Sequence, residues 1–537
     1  MTRWALGLGV FTVLAGIAAV AVAYQERAQF ARWWAMVIGA GLVAVIAWRL
    51  AGKTVLRVWH AWRLPRWVLP VALFVAMAAV KAFFAFRWPT EQRSDFLSLL
   101  EAAQSINLGD YSFSQDAYWH YFAYQTPFAI YEAFMLKVFA GSIVPLLAVN
   151  ALVMAGTNLL VFLFARRIAG STAAGLFAAF AYLAYPGPYL EANVLSNDHL
   201  SAFFLLLGAY VVLAAARRLE RAAERRAEDA TELEARGRSG RLRSVTGGVA
   251  AVLAGGVFLA LGNLARPAGM VVCAALVAAL VLGPLTRRGR GRSWWPLGAS
   301  AALAVLVLAV YALTGAAASG AIKASGINPA GSANGLPEWK FVLGTMSSGT
   351  LHTVGERIGI SDPVPNPDSP EIARAMLKEN LRQLPSTWRE VVWRQAQSLW
   401  GSPDTASFMF WPQLGGAPYH EVPNGKQFPA AHGLVLLERG LFLPAVLMAA
   451  LGAAMISRQR RWGAAATFLG CLVAAYALVH LAIEVQPRYR YLAMPAIFAL
   501  TGPAWSWLAG CRRRSDRAEV DAGSGRAASS KAGAGRG

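Results

Sequence analysis

The chain has 537 residues, of which 56% are hydrophobic and 15% charged, and its formal net charge is +21. Soluble chains carry roughly a quarter charged residues, so this composition excludes a soluble globular protein. The basic excess sits in short stretches between apolar blocks, the pattern of a polytopic membrane protein, which argues against a nucleic-acid partner.

A bilayer core about 30 Å thick takes about 20 helical residues to cross. Inside it the backbone must satisfy its own hydrogen bonds, so the apolar blocks read as helices. The fold class expected is all-α: a transmembrane helix bundle of about 12 spans with a mostly helical extracytoplasmic loop. The first block, 4–24, ends in Ala21-Val22-Ala23 and resembles a signal peptide. A second block, 33–50, follows at once and favours a retained hairpin, so 1–66 reads as an N-terminal hairpin with a basic cytoplasmic loop. Further spans are expected at 67–86, 142–165, 170–187, 199–215, 247–264, 268–285 and 295–314, in a module covering 67–314. The outer loop 87–140 belongs to that module. A large extracytoplasmic loop follows at 315–431, then C-terminal helices within 432–511, with spans at 434–456, 463–482 and 491–510. The tail 512–537, rich in Gly, Ser, Ala and Arg, reads as disordered and cytoplasmic.

Basic clusters lie at Arg49 to Arg66, Arg166–Arg167, Arg217 to Arg243, Arg287 to Arg292, Arg458 to Arg461 and Arg512 to Arg517. Placing all of them in the cytoplasm gives a plasma-membrane protein with both termini inside. That path decides residues 121–140. If they crossed, every later basic cluster would move outside, so the segment is expected along the interface or re-entrant, which suits Pro127, Glu132 and Lys137. The loop 315–431 balances nine acidic against nine basic residues. Within it, Ser369-Pro370-Glu371 reads as a helix start and Thr387-Trp388-Arg389-Glu390 as a capping box opening a second, short helix. Its apolar stripe (Trp388, Val391, Val392, Leu399, Trp400) suits a helix lying on the membrane or the bundle. The charged linker 216–246 reads as a solvated helix. Cys273 and Cys471 lie in apolar blocks and Cys511 abuts the tail, so no external disulfide is expected.

Signatures of soluble enzymes are missing. Gly52-Lys53-Thr54 resembles the end of a phosphate loop, but Ala47 stands where its first glycine is required. What remains are polar residues at the outer ends of helices: Arg93-Ser94-Asp95-Phe96; Glu191, Asn197, Asp198 and His199 after Tyr185-Pro186; and the run Glu484 to Tyr491. Ionisable groups at membrane depth are costly and tend to be functional, although charges near helix ends also snorkel to the interface. The chemistry they suggest is group transfer from a lipid-bound donor. Asp95 takes a proton from an acceptor hydroxyl, and Arg488 and Arg490 hold a leaving phosphate.

Residues 84–213, with an echo at 484–500, resemble the GT-C superfamily of glycosyltransferases, in its protein O-mannosyltransferase and aminoarabinose-transferase-like branch (glycosyltransferase family 39-like). The resemblance rests on Arg93 to Phe96, the AxxxxxGD stretch Ala103 to Asp110, Tyr121-Phe122-Ala123-Tyr124-Gln125-Thr126-Pro127, Ala165 to Gly170, Pro186, Asp198, and the Arg490, Tyr491 and Pro495 pattern. It implies an inverting glycosyltransferase that moves a sugar from a polyprenyl-phosphate donor to a glycan, lipid or protein acceptor on the extracytoplasmic face. It implies Asp95 as the catalytic base and Asp198 as a second catalytic carboxylate; Arg93, Tyr124, Gln125 and His199 join Arg488 and Arg490 as candidate substrate-binding residues. Some relatives bind a metal through a glutamate just before a double proline. Here Ala123 to Pro127 holds no acid and one proline, so no metal ligand is assigned and a divalent metal stays open. Two other readings stand beside this one: a transporter or flippase of lipid-linked sugars, which calls for matching halves with interrupted helices, and a non-catalytic relative.

Overall fold

Apolar runs of helix-forming residues become helices here because that closes every backbone hydrogen bond within the segment. A computed structural model describes residues 2–23, 39, 46, 65, 67–87, 92, 94–229, 238–285, 295–347, 351–360, 362–401, 429–459 and 462–508. Among these residues the fold is helical, with no strand. Seven helices are long and apolar enough to cross a membrane. In the numbering used below they belong to α1 (Thr2–Ala23), α2 (Val68–Arg87), α6 (Val144–Ala169), α9 (Asn197–Asp229), α10 (Arg238–Ala265), α12 (Trp295–Ala324) and α16 (Pro429–Arg458). Three shorter apolar helices accompany them: α7 (Thr172–Ala184), α11 (Gly269–Leu285) and α17 (Ala464–Val479). The chain is thus a polytopic membrane protein.

Several expected spans differ in detail. The block 33–50 and the tail 512–537 lie outside the described residues. The expected span 491–510 is broken into a 3-10 turn (Pro487–Leu492), α18 (Ala493–Leu500) and α19 (Gly502–Leu508). Pro503, which lacks an N–H, sits just after the break. Conversely, α12 runs on to Ala324, ten residues past its expected end at 314, because GAAASGAIKA is rich in alanine, the strongest helix former.

Between α2 and α6 the chain folds into α3 (Asp95–Leu108), α4 (Ala117–Tyr121) and α5 (Thr126–Val138). Helix α5, at 13 residues and 1.5 Å each, is about 20 Å long and too short to span. It packs on α3, so the segment 121–140 forms no crossing helix. The region after α12 contributes α13 (Glu338–Thr345), α14 (Leu351–Ile358) and α15 (Ser369–Ala396), with a π-turn at Gln397–Gly401. The two expected helices at 369 and 387 are one. Thr387 does not cap; its hydroxyl donates back to the Gln383 carbonyl (3.0 Å), as does that of Ser386 (2.7 Å), and the helix runs through Pro385. Nor is Ser369 the cap: Asp368 holds that position and the Ser369 hydroxyl donates to the Ile358 carbonyl.

Lipid cannot drive apolar helices together, so they associate by close packing. A Cβ on Gly208 of α9 would meet the Gly255 carbonyl of α10 at 2.7 Å, so these two helices touch along their backbones. Helix α18 forms the centre: all eight of its residues are buried, and it contacts α6, α16 and α17. The region after α12 is tied to the segment between α2 and α6 by Asn328, which donates to Thr126 Oγ1 (3.0 Å), and by Tyr121, which donates to the Asn366 carbonyl (2.7 Å).

Candidate active site

At the end of the bundle where α10 and α17 finish and α9 begins lies a cavity of about 190 Å³. Its wall includes Asp95, Tyr124 and Gln125 from the first loop, Asn197 from the start of α9, and Arg266 from the turn between α10 and α11. Lys340 of α13 and His480, Glu484, Arg488 and Tyr489 after α17 complete it.

Asp95 opens α3, directly after Ser94, whose φ of 53° and ψ of −137° form a conformation favoured by glycine. One carboxylate oxygen accepts from Arg488 (2.8 Å) and the other from the Tyr118 hydroxyl (3.2 Å), while the side chain keeps 38% of its exposure towards the cavity. Burial pulls the carboxyl up, but the Arg488 charge and hydrogen bond, Tyr118 and Arg266 outweigh it and hold Asp95 below the usual carboxylate value. Asp95 is therefore ionised at neutral pH. Gln125 donates to the same Tyr118 hydroxyl (2.6 Å).

Tyr489 is surrounded by cations. Arg266 lies 4.7 Å from its ring centroid, Lys340 5.4 Å and Arg488 5.7 Å, within the range of cation–π attraction. Each cation also has its own carboxylate: Arg488 pairs with Asp95, Lys340 with Glu484 (2.7 Å), and Arg266 with Asp198. Burial raises the Glu484 carboxyl, and Lys340 with Gln486 more than offsets this, leaving it below its usual value. The Glu484 backbone N–H also donates to the Lys340 carbonyl (2.7 Å), which fixes α13 beside the turn after α17. The turn that carries Arg266 is held by Asn263, whose side chain accepts from the Gly269 N–H (3.0 Å).

Of the residues singled out in the sequence, Asp95, Phe96, Tyr124, Gln125, Asn197, Glu484, Arg488 and Tyr489 share this wall. Asp198 does not line it; it sits behind Arg266 as that residue's counter-ion. His199 is fully buried between the Tyr491 hydroxyl (2.9 Å) and the Glu191 carbonyl (3.0 Å). Arg490 is buried too, facing away towards Glu438 of α16, which also accepts from Tyr185 (2.9 Å). These three brace the wall from behind. Arg93 lies outside the described residues. Sequence reasoning passed over Arg266, Lys340 and His480. Arg266 stands alone between two apolar blocks, within the short stretch Asn263 to Ala268, and that isolation was the available signal. Among the described residues no three His, Cys, Asp or Glu side chains are grouped to hold a metal, and both acids on the wall are engaged by cations, so this donor set does not fit a metal ion.

No family model and no curated protein matches the sequence. Similar solved structures include the apo oligosaccharyltransferase of Archaeoglobus fulgidus, 14% identical, covering 82% of this chain and 50% of that one at a TM-score of 0.42. They also include ArnT from Cupriavidus metallidurans bound to undecaprenyl phosphate, 14% identical, covering 80% of this chain and 77% of that one at a TM-score of 0.37. The chain therefore spans about half the length of the oligosaccharyltransferase it is similar to.

Proposed function

We propose that this protein is a membrane glycosyltransferase that takes a sugar from a polyprenyl-phosphate donor and transfers it to an acceptor hydroxyl at the outer face of the membrane. The observation that carries the reading is the cavity in which two carboxylates, Asp95 and Glu484, and three cations meet at the end of an apolar bundle. Such a site suits a ligand with an anionic head and a long apolar tail.

In the reaction, the acceptor oxygen forms a bond to the anomeric carbon while the bond from that carbon to the phosphate oxygen breaks. The hydroxyl proton passes to Asp95, and the bonding electron pair leaves on the phosphate, which becomes a monoester dianion. Arg488 stands between the two charges. In the free protein it holds Asp95 ionised; with donor bound, the phosphate competes for the same guanidinium and releases the carboxylate to act as base. Arg266 and Lys340 add charge on the phosphate side of Tyr489. A single displacement of this kind inverts the anomeric centre.

Asp95→Asn keeps the shape and removes the base. The expected result is loss of transfer from a polyprenyl-phosphate sugar in membranes, with unchanged protein level; full activity of this variant would sink the assignment.

A further inference from the structure

Resting on that reading, the wall of the cavity also bears on which sugar the donor carries. His480 follows α17 and is 6% exposed. Its Nδ1 lies 2.8 Å from the Tyr476 carbonyl, and a carbonyl only accepts, so Nδ1 carries a proton. In the neutral ring the lone pair is then on Nε2. The ring lines the cavity, and among the described residues Nε2 has no hydrogen-bond partner. Gln125, whose Nε2 is taken by Tyr118, leaves its Oε1 as a second neutral acceptor on the same wall.

The carboxylates are not free in this way. Asp95 is engaged by Arg488 and Tyr118. Glu484 is engaged by Lys340 and by Gln486 (2.8 Å). A cationic amino sugar would therefore enter beside Arg266, Lys340 and Arg488 and find Glu484 neutralised by Lys340 and Asp95, once the phosphate has drawn Arg488 away, given over to the acceptor proton. A neutral sugar meets no such conflict and offers hydroxyl donors to the open acceptors. We infer that the transferred group is an uncharged, hydroxyl-rich sugar and that His480 Nε2 accepts a hydrogen bond from one of its hydroxyls.

The test is binding to the purified full-length protein of three probes: undecaprenyl phosphate alone, undecaprenyl phosphate mannose, and undecaprenyl phosphate 4-amino-4-deoxyarabinose. The wild type is expected to bind the mannosyl lipid more tightly than the aminoarabinosyl lipid. His480→Asn places an amide where Nδ1 donates to Tyr476 but nothing at Nε2, so the fold is kept and the acceptor is lost. It is expected to weaken binding of the mannosyl lipid by about tenfold, the scale of one buried hydrogen bond, and to leave bare undecaprenyl phosphate unaffected. His480→Gln, which reaches the Nε2 position, is expected to recover most of that loss. Preference for the aminoarabinosyl lipid, or an equal loss for bare and glycosylated lipid in His480→Asn, overturns the inference. Failure of wild type to bind bare undecaprenyl phosphate overturns the proposed function itself.

Discussion

Asp95 and Arg488 form the most informative pair in the molecule, since each limits what the other can do. Because the folded Asp95 value lies below the ordinary carboxylate value of 3.8, the pair stabilises the fold above about pH 4 and loses that contribution as pH falls through the lower folded value. Removing the cation leaves burial to dominate, which raises the carboxyl. Arg488→Gln is therefore expected to move the acidic limb of the pH–rate profile to higher pH and to raise KM for the lipid donor. An unmoved limb would show that Asp95 does not titrate in the reaction. Asp198 differs in kind. As the partner of Arg266 it positions a cation rather than a proton, so Asp198→Asn should raise KM while leaving the pH limb in place. A shift of the limb in that variant would instead make Asp198 the base.

At the level of elements, α13 and the turn after α17 approach so closely that only glycine fits between them. A Cβ on Gly344 would overlap the Ala482 carbonyl and lie 2.6 Å from Ile483 Cα. The same contact carries the Lys340–Glu484 pair into the cavity. Gly344→Ala should push α13 away, lowering the melting temperature by several degrees and weakening donor binding; unaltered melting and binding would mean the contact is slack. Helix α5 makes the opposite point. Glu132 is fully buried there, and neither carboxylate oxygen has a partner among the described residues. Burial pushes its carboxyl well up. An unsatisfied buried polar group costs about 1–3 kcal/mol, so Glu132→Leu should raise the melting temperature. A clear fall would reveal a partner for Glu132. Glu132 was a reason to deny 121–140 a crossing, and the helix indeed stays short, but its acid points into protein rather than to the interface. Sequence conveys that a charge is unsuited to lipid; the packing of α5 on α3 decides where it goes.

Across the whole molecule, the hydrophobic blocks made the helical bundle legible, because a period of apolar residues long enough for a bilayer admits few other structures. The candidate cavity was legible in part. Asp95 and Arg488 could be found because each sits in a polar run beside a span, whereas Arg266 and Lys340 join them through tertiary packing that no local pattern encodes. The breaks in the last span and the extension of α12 depend on proline and alanine effects weaker than the hydropathy signal. Orientation follows from combining the two sources. Helices α10 and α17 end at the cavity and α9 and α11 begin there, while Arg166, Arg167 and Arg458 close α6 and α16, and Arg217 and Arg218 lie far along α9 from the cavity. The cavity thus lies at the end opposite these basic residues, and by the positive-inside rule we propose that this end faces out of the cytoplasm. In a background with the native cysteines replaced, Asp110→Cys, exposed at the end of the helix that Asp95 opens, should react with a membrane-impermeant maleimide added to intact cells. Arg218→Cys, exposed on α9, should react only after the membrane is permeabilised. The reverse pattern would place the cavity in the cytoplasm, where a sugar donor presented on the outer leaflet could not reach Asp95.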